Sequence, residues 1–135
     1  VAVSPKGKDV ACILKGDVYV TTIDFSTTKQ ITCTPERERR VDFRADGRAV
    51  VYDSERGGIW SIYEAEMVND KEEVMTYCTE IQEKRLTDGV TTSFQPLYSP
   101  DGKKVAYLQN REAICIIDLK SGKSRVAMDA KYNYS

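Results

Sequence analysis

Histidine is absent from these 135 residues. With it go the Ser-His-Asp triad, any His-ligated metal site and the commonest general base near neutral pH. No run of about 18 apolar residues occurs, which leaves no candidate for a membrane-spanning helix. Charge of one sign is lacking too. Twenty Lys and Arg stand against 21 Asp and Glu, a formal net charge of -1, which supplies no positive field for phosphate backbones and argues against nucleic acid as a partner. Cys12, Cys33, Cys78 and Cys115 include no C-x-x-C pair, so a zinc knuckle or redox motif is not expected. They read as small buried free thiols, with a disulfide as the alternative. A Gly-x-Ser-x-Gly elbow is missing. Gly122-Lys123-Ser124 resembles the end of a phosphate-binding loop, but Ile117 stands where that loop needs Gly, so it reads as a turn. Neither catalytic residues, nor a cofactor, nor a metal site is expected.

What is present is enough for a packed domain: 41% hydrophobic and 30% charged residues make a core and a solvated, mixed-charge surface. The start at Val1, with no charged segment leading into an apolar one, suggests a processed protein or an excised part of a larger one.

Internal repetition organises the chain. Val3-Ser4-Pro5-Lys6-Gly7-Lys8-Asp9-Val10-Ala11 aligns without a gap with Phe43-Arg44-Ala45-Asp46-Gly47-Arg48-Ala49-Val50-Val51 and with Tyr98-Ser99-Pro100-Asp101-Gly102-Lys103-Lys104-Val105-Ala106. Pro5 and Pro100 pre-set φ for a tight turn, Asp46 and Asp101 tolerate the next position, and Gly7, Gly47 and Gly102 take the left-handed conformation that folds a second strand back. A third run follows each turn: Asp17-Val18-Tyr19-Val20, Gly58-Ile59-Trp60-Ser61-Ile62 and Ala113-Ile114-Cys115-Ile116-Ile117. A fourth closes each unit: Lys29-Gln30-Ile31-Thr32, Lys84-Arg85-Leu86-Thr87 and Ser124-Arg125-Val126-Ala127. Four short strands per unit of about 40 residues is the size of a β-propeller blade. The expected fold is all-β, three four-stranded antiparallel blades at about 1–40, 41–92 and 93–130. The turn glycines are unevenly spaced, so the second unit holds a long hairpin insertion near 64–83.

That insertion carries Glu64, Glu66, Asp70, Glu72 and Glu73. Their spacing matches no calcium loop or paired-carboxylate template, and they read as a solvated hairpin projecting from the outer rim, where it could touch a neighbouring domain. The run Glu36-Arg37-Glu38-Arg39-Arg40 lies in the connection to the innermost strand of the second blade, near the mouth of a central channel. Arg37, Arg39 and Arg40 are the candidate peptide-binding residues, able to hold a carboxylate with forked hydrogen bonds. A salt-bridged surface loop is the alternative, since both signs alternate. Aromatics recurring at matched positions (Phe43 with Tyr98, Tyr52 with Tyr107) read as blade-to-blade core, and Trp60 as packing in the third strand.

The string Ser99-Pro100-Asp101-Gly102-Lys103-x-Val105-Ala106-Tyr107, followed by Ile116-Ile117-Asp118-Leu119-x-Ser121-Gly122-Lys123, resembles the WD-like propeller repeat of the Tol-system propeller protein, prolyl-oligopeptidase-type enzymes and tricorn-type peptidases. Val1-Ala2-Val3-Ser4-Pro5-Lys6-Gly7, Ile59-Trp60-Ser61-Ile62-Tyr63-Glu64, Phe94-Gln95-Pro96-Leu97-Tyr98 and the closing Lys131-Tyr132-Asn133-Tyr134-Ser135 are similar to the N-terminal propeller of bacterial tricorn-like serine peptidases. Arg44-Ala45 and Lys6 depart from the repeat but keep the turn glycine. The resemblance implies a non-catalytic propeller that recognises peptide or protein ligands, gates substrate and assists assembly, with the catalytic serine in a separate domain. The alternative it allows is a stand-alone protein-interaction propeller like the Tol component. It further implies a periplasmic or secreted location, with a cytoplasmic one as the alternative, and contacts with the remaining domains of a parent protein. Three blades leave two flat end faces, so self-association of the fragment is also expected, two arcs closing about a two-fold axis.

Overall fold

Each of the three aligned strings turns the chain back on itself. In the computed structural model, which describes residues 1–24, 27–32 and 37–129, the N–H groups of Gly7, Gly47 and Gly102 donate to the carbonyls of Ser4, Arg44 and Ser99 at 2.9, 2.8 and 2.9 Å. The three glycines take φ of 69°, 71° and 72°, a conformation that costs an L side chain ~1 kcal/mol or more. Short side chains complete the turns. Ser4 Oγ accepts from Asp9 N at 3.0 Å, and Asp46 and Asp101 each accept the N–H two residues on, at 2.9 Å.

Twelve strands follow among the described residues, in three antiparallel sheets with neighbours in chain order. The first sheet holds β1 (Ala2–Val3), β2 (Asp9–Leu14), β3 (Asp17–Thr22) and β4 (Thr28–Gln30). The second holds β5 (Arg37–Phe43), β6 (Ala49–Arg56), β7 (Ile59–Met67) and β8 (Ile81–Arg85). The third holds β9 (Ser93–Tyr98), β10 (Lys104–Gln109), β11 (Ala113–Asp118) and β12 (Ser124–Asp129). This is a propeller arrangement of three blades. The edge strand β5 touches β1 on one side and β9 on the other, so the first strands of the blades run side by side.

Period-two alternation buries one face of each strand against the next blade. Ala11, Val18 and Val20 of blade one pack on Phe43, Val50, Tyr52, Tyr63 and Ala65 of blade two. Val51 and Ile62 on the far face of blade two pack on Tyr98, Val105, Tyr107, Cys115 and Ile117 of blade three. Cys78 and Cys115 are buried and Cys12 half-buried, all three free thiols, and burial pushes the Cys78 and Cys115 thiols above their ordinary value. Cys33 and the closing residues 130–135 lie outside the described residues. Val3 differs from its repeat mates: it is 56% exposed where Phe43 and Tyr98 are 6% and 7%, because no blade covers the outer face of the first sheet.

The insertion departs most from expectation. Strand β7 runs on to Met67 and β8 starts at Ile81, so much of the extra chain lengthens the sheet. Residues 68–71, 73, 77, 79 and 80 stay exposed, as expected for a solvated hairpin, but the middle of the connection folds inward. Its short 3₁₀ turn, Met75–Tyr77, places Met75 and Cys78 in the core between blades one and two. Glu64 likewise is buried in β7 rather than solvated in a hairpin. Arg48 holds the connection from the turn side, donating to the carbonyls of Glu72, Asn69 and Met67 at 2.5, 2.9 and 3.3 Å. Asp9, 1% exposed, anchors it from blade one. The physical reason is that Met75 and Cys78 are worth more against an adjacent core than in water, ~1.5–3 kcal/mol for a large side chain such as Met75 fully buried.

Candidate functional site

One buried acid, Asp9, bridges the junction of blades one and two, whereas three acids gather at the junction of blades two and three. Register pairing brings Asp42, Asp53 and Glu64 onto the face of the second sheet that meets the third. Each is engaged across the junction. Tyr98 N donates to Asp42 at 3.0 Å, and Tyr98 Oη donates to Glu64 at 2.6 Å. Burial, with the Glu64 carboxylate beside it, pushes the Tyr98 phenol far above its ordinary value. Arg44 closes the group from the turn, 3.5 Å from Glu64 and 2.5 Å from Glu66. Burial opposes its charge, but the bonds to Asp46 and Glu66 outweigh it and raise the Arg44 pKa.

Asp53 sits at the other end of the same face, 1% exposed. Its two carboxylate oxygens accept Arg40 N at 2.8 Å and Gln95 N at 3.0 Å. Arg40 and Gln95 are equivalent in the repeat, three residues before Phe43 and Tyr98. Both lie where the first strand of their blade loses register, between Glu38 and Val41 and opposite Ala106–Leu108. One carboxylate thus ties the bulges of two adjacent blades. Gln95 pays for its position with φ of 53°, a conformation rare outside glycine.

Beside this tie opens a cleft of about 350 Å³ lined by Arg40, Asp53, Phe94, Gln95, Leu108 and Arg111. Phe94 forms an aromatic wall backed by Trp60, ring centroids 6.0 Å apart. The Arg111 guanidinium lies 5.3 Å from the Phe94 ring centre, within cation–π range. Arg111 is also the second residue of a two-residue hairpin turn with positive φ at both positions, 52° at Asn110 and 60° at Arg111. The matching turns of the other blades place Gly16 and Gly58 there, with φ of 85° and 80°, as type I′ geometry favours. The cleft therefore borders two non-glycine residues held in the left-handed region, Gln95 and Arg111. Strain of this kind collects at binding sites.

Of the sequence candidates, Arg40 reaches the cleft and its side chain is exposed. Arg37 and Arg39 belong to β5 by backbone pairing, but their side chains lie outside the described residues. Asp53, Gln95 and Arg111 were not singled out by sequence. A signal existed: Asp53 aligns with Ile13 and Leu108, an acid at a position that is otherwise apolar in the repeat. Among the described residues no group of three metal-ligating side chains forms, and no helix is long and apolar enough to cross a membrane.

A second charged cluster lies within blade two, on the side that faces blade one. Arg56 grips Glu83 with two bonds of 2.6 and 2.8 Å, and Tyr52 Oη also donates to Glu83. Burial would raise the Glu83 carboxyl, but these bonds prevail and hold it below its usual range. Arg56 stacks on Tyr63 at 3.9 Å and Tyr63 on Tyr52 at 6.3 Å. These contacts join three strands of one sheet, the pattern of a structural tie.

No protein-family model matches the chain, and no curated protein sequence does. Solved propeller structures do. A putative TolB from Agrobacterium tumefaciens superposes with a TM-score of 0.73 at 22% identity, over 95% of this chain and 48% of that one. TolB from Acinetobacter baumannii gives 0.69 at 22% identity, over 95% and 31%. The tricorn protease gives 0.64 at 15% identity, over 87% and 13%. The chain therefore has a β-propeller fold resembling Tol and tricorn propellers, and it spans less than half the length of these structures.

Proposed function

We propose that this chain is a recognition module, a propeller segment that binds a peptide or protein segment at the junction of blades two and three and performs no chemistry itself. The cleft between Arg40 and Arg111 carries this reading. Two exposed guanidinium groups flank an apolar wall of Phe94 and Leu108, and the backbone beneath is locked by Asp53. Such a site suits a carboxylate held by a forked donor with an apolar side chain alongside. Arg37 and Arg39, on the same strand, are proposed as further peptide-binding residues.

Two settings fit such a module: the substrate-gating propeller of a tricorn-like serine peptidase, whose catalytic residues would lie in another domain, or a protein-interaction propeller of the Tol kind. The higher similarity to the two TolB structures favours the second. Either setting agrees with a periplasmic or secreted location.

The single tryptophan gives a direct test, since Trp60 backs the cleft. Short peptides ending in Phe or Leu, with free or amidated C-termini, are titrated against Trp60 fluorescence. The expected result is saturable binding of the free-acid forms, weakened ~10-fold or more by Arg40→Ala or Arg111→Ala, the size expected for one charge-assisted bond. Equal binding of amidated and free-acid peptides, or indifference to both substitutions, overturns the reading.

A further inference from the structure

We infer that a slot between blades two and three binds a neutral, hydroxyl-rich molecule the size of one sugar ring. It is a second site, distinct from the peptide cleft. Its walls are the connection that leaves β8 and the face of blade three that meets blade two, so neither end face of the chain takes part.

The register of the repeat shows why the slot exists. In blade two Tyr63 pairs with Tyr52 and Glu83 with Ala65; at the same positions of blade three Cys115 pairs with Tyr107 and Ser124 with Ile117. Gly122, two residues before Ser124, stands where blade two has Ile81. At the junction of blades one and two the large residues take up the space. Tyr63 is 8% exposed, Ile81 packs on the same core, and Glu83 is gripped by Arg56. Met75 and Cys78 of the long connection add to that filling. Blade three has a small residue at all three positions, and its own connection, 119–123, is a tight turn closed by Gly122 N donating to Asp118 O at 2.8 Å. Ile117 in place of Ala65 recovers only part of the volume. A slot of about 270 Å³ remains, just under the ~300 Å³ at which small-molecule pockets begin.

The lining sets what fits. Its polar groups are the hydroxyls of Thr87, Ser93, Tyr107 and Ser124 and the amide of Gln109, with Leu86 and Ile117 as apolar floor. No Lys or Arg lines it, which leaves nothing to balance a buried anion. Asp88 stands at the exposed rim, but its oxygens are taken by its own turn: Val90 N, Thr91 N and the Thr91 hydroxyl donate to them at 2.8, 2.9 and 3.2 Å. Where Tyr52 donates to the Glu83 carboxylate, Tyr107 meets the neutral Ser124 hydroxyl. The inner groups are half used. Thr87 Oγ1 accepts from Ile62 N at 3.2 Å, and Gln109 Oε1 accepts from Cys115 Sγ at 3.6 Å. Among the described residues, nothing accepts from the Thr87 hydroxyl or the Gln109 amide nitrogen. The Ser93 hydroxyl, 1% exposed, donates to Thr91 O at 3.2 Å and takes no donor there. Open donors beside an open acceptor suit groups that both give and accept a hydrogen bond, which is what hydroxyls do. The floor of Leu86 and Ile117 suits the C–H face of the ring that carries them.

NMR titration of the ¹⁵N-labelled 135-residue chain tests the inference. The probes are glucose, galactose and N-acetylglucosamine, with glucuronate and the ammonium form of glucosamine as charged counterparts of the same ring. A neutral sugar is expected to give saturable shifts at the amides of Thr87, Ser93, Gln109 and Ser124, and both charged counterparts to bind ~5-fold or more weakly. Gln109→Leu, which removes the amide at similar volume, is expected to weaken binding ~5-fold or more, the size of one neutral hydrogen bond. Ser124→Tyr, at an exposed position of the rim, plugs the slot and abolishes the shifts while the thermal midpoint is kept. A slot that holds water only, seen as no saturable shift with any neutral sugar, overturns the inference. So does a charged counterpart that binds as tightly as the neutral ring, or a folded Ser124→Tyr variant that binds as the native chain does.

Discussion

Tyr98 and Glu64, 34 residues apart in sequence, meet across the junction of blades two and three through a 2.6 Å hydrogen bond from phenol to carboxylate. Both are buried, at 7% exposure each, and Arg44 stands 3.5 Å from the same carboxylate. A buried acceptor that loses its donor keeps the full cost of having left water, ~1–3 kcal/mol.

Tyr98→Phe is therefore expected to destabilise the protein by ~1–3 kcal/mol at pH 7 in urea unfolding. The effect depends on pH in a definite direction. The folded-state pKa of Tyr98 is raised, first by burial and then by Glu64, so the stability tied to its protonated form is complete below the unfolded value near 10. Above that value the unfolded chain loses the proton and the folded one retains it. The advantage of the native protein over Tyr98→Phe should shrink by ~1.4 kcal/mol for each pH unit above about 10. A difference that stays constant from pH 8 to 11.5 contradicts this account.

Asp9→Ala is expected to cost ~2–4 kcal/mol, since it leaves two amides and a hydroxyl in the core without their acceptor. Met75 N, Thr76 N and Thr76 Oγ1 donate to that carboxylate at 2.9, 3.1 and 2.5 Å. The adjacent Lys8→Ala removes only an exposed pair with Glu73 at 3.9 Å and should change stability by less than ~0.5 kcal/mol. Amide exchange at residues 74–78 should quicken in Asp9→Ala and not in Lys8→Ala.

Gly7→Ala and Gly102→Ala share a backbone penalty but differ in their surroundings. Both positions have φ near 70°, which costs a side chain ~1–2 kcal/mol. A Cβ at Gly7 would meet nothing within 4 Å, whereas one at Gly102 would come within 2.9 Å of Arg44 Cγ. Arg44 is held by Asp46, Glu64 and Glu66 and has little room to yield. Gly102→Ala is expected to lower the thermal midpoint clearly more than Gly7→Ala does; equal losses would mean that Arg44 moves freely.

The three turns, the four-strand unit and the aromatic core positions could be read from the chain because each depends on neighbours in sequence. A Ser-Pro-Asp-Gly string turns where it stands, and alternation along a strand marks an apolar face. The candidate site was only partly readable. Arg40 stood out as a charge in a connection, while Asp53, Gln95 and Arg111 did not, since their roles arise from two bulges and a turn meeting across a blade boundary. Comparing the repeats with one another exposes part of this. Asp42, Asp53 and Glu64 fall where blade one has Ala2, Ile13 and Val20 and blade three has Leu97, Leu108 and Ile116.

By itself, then, the sequence determined the local folding units and their number, through turn chemistry and period-two patterning that act within a few residues. Tertiary structure decided where polar groups went. The middle of the connection 68–80 turned inward because its apolar residues found the adjacent core and its amides found Asp9, 66 and 67 residues away. Glu64 became a buried partner of Tyr98 because the second blade is closed by the third. Polarity alone gives no sign of such choices, since a carboxylate is equally at ease in water or facing a well-placed donor, and only the packing of one sheet on the next supplies the donor.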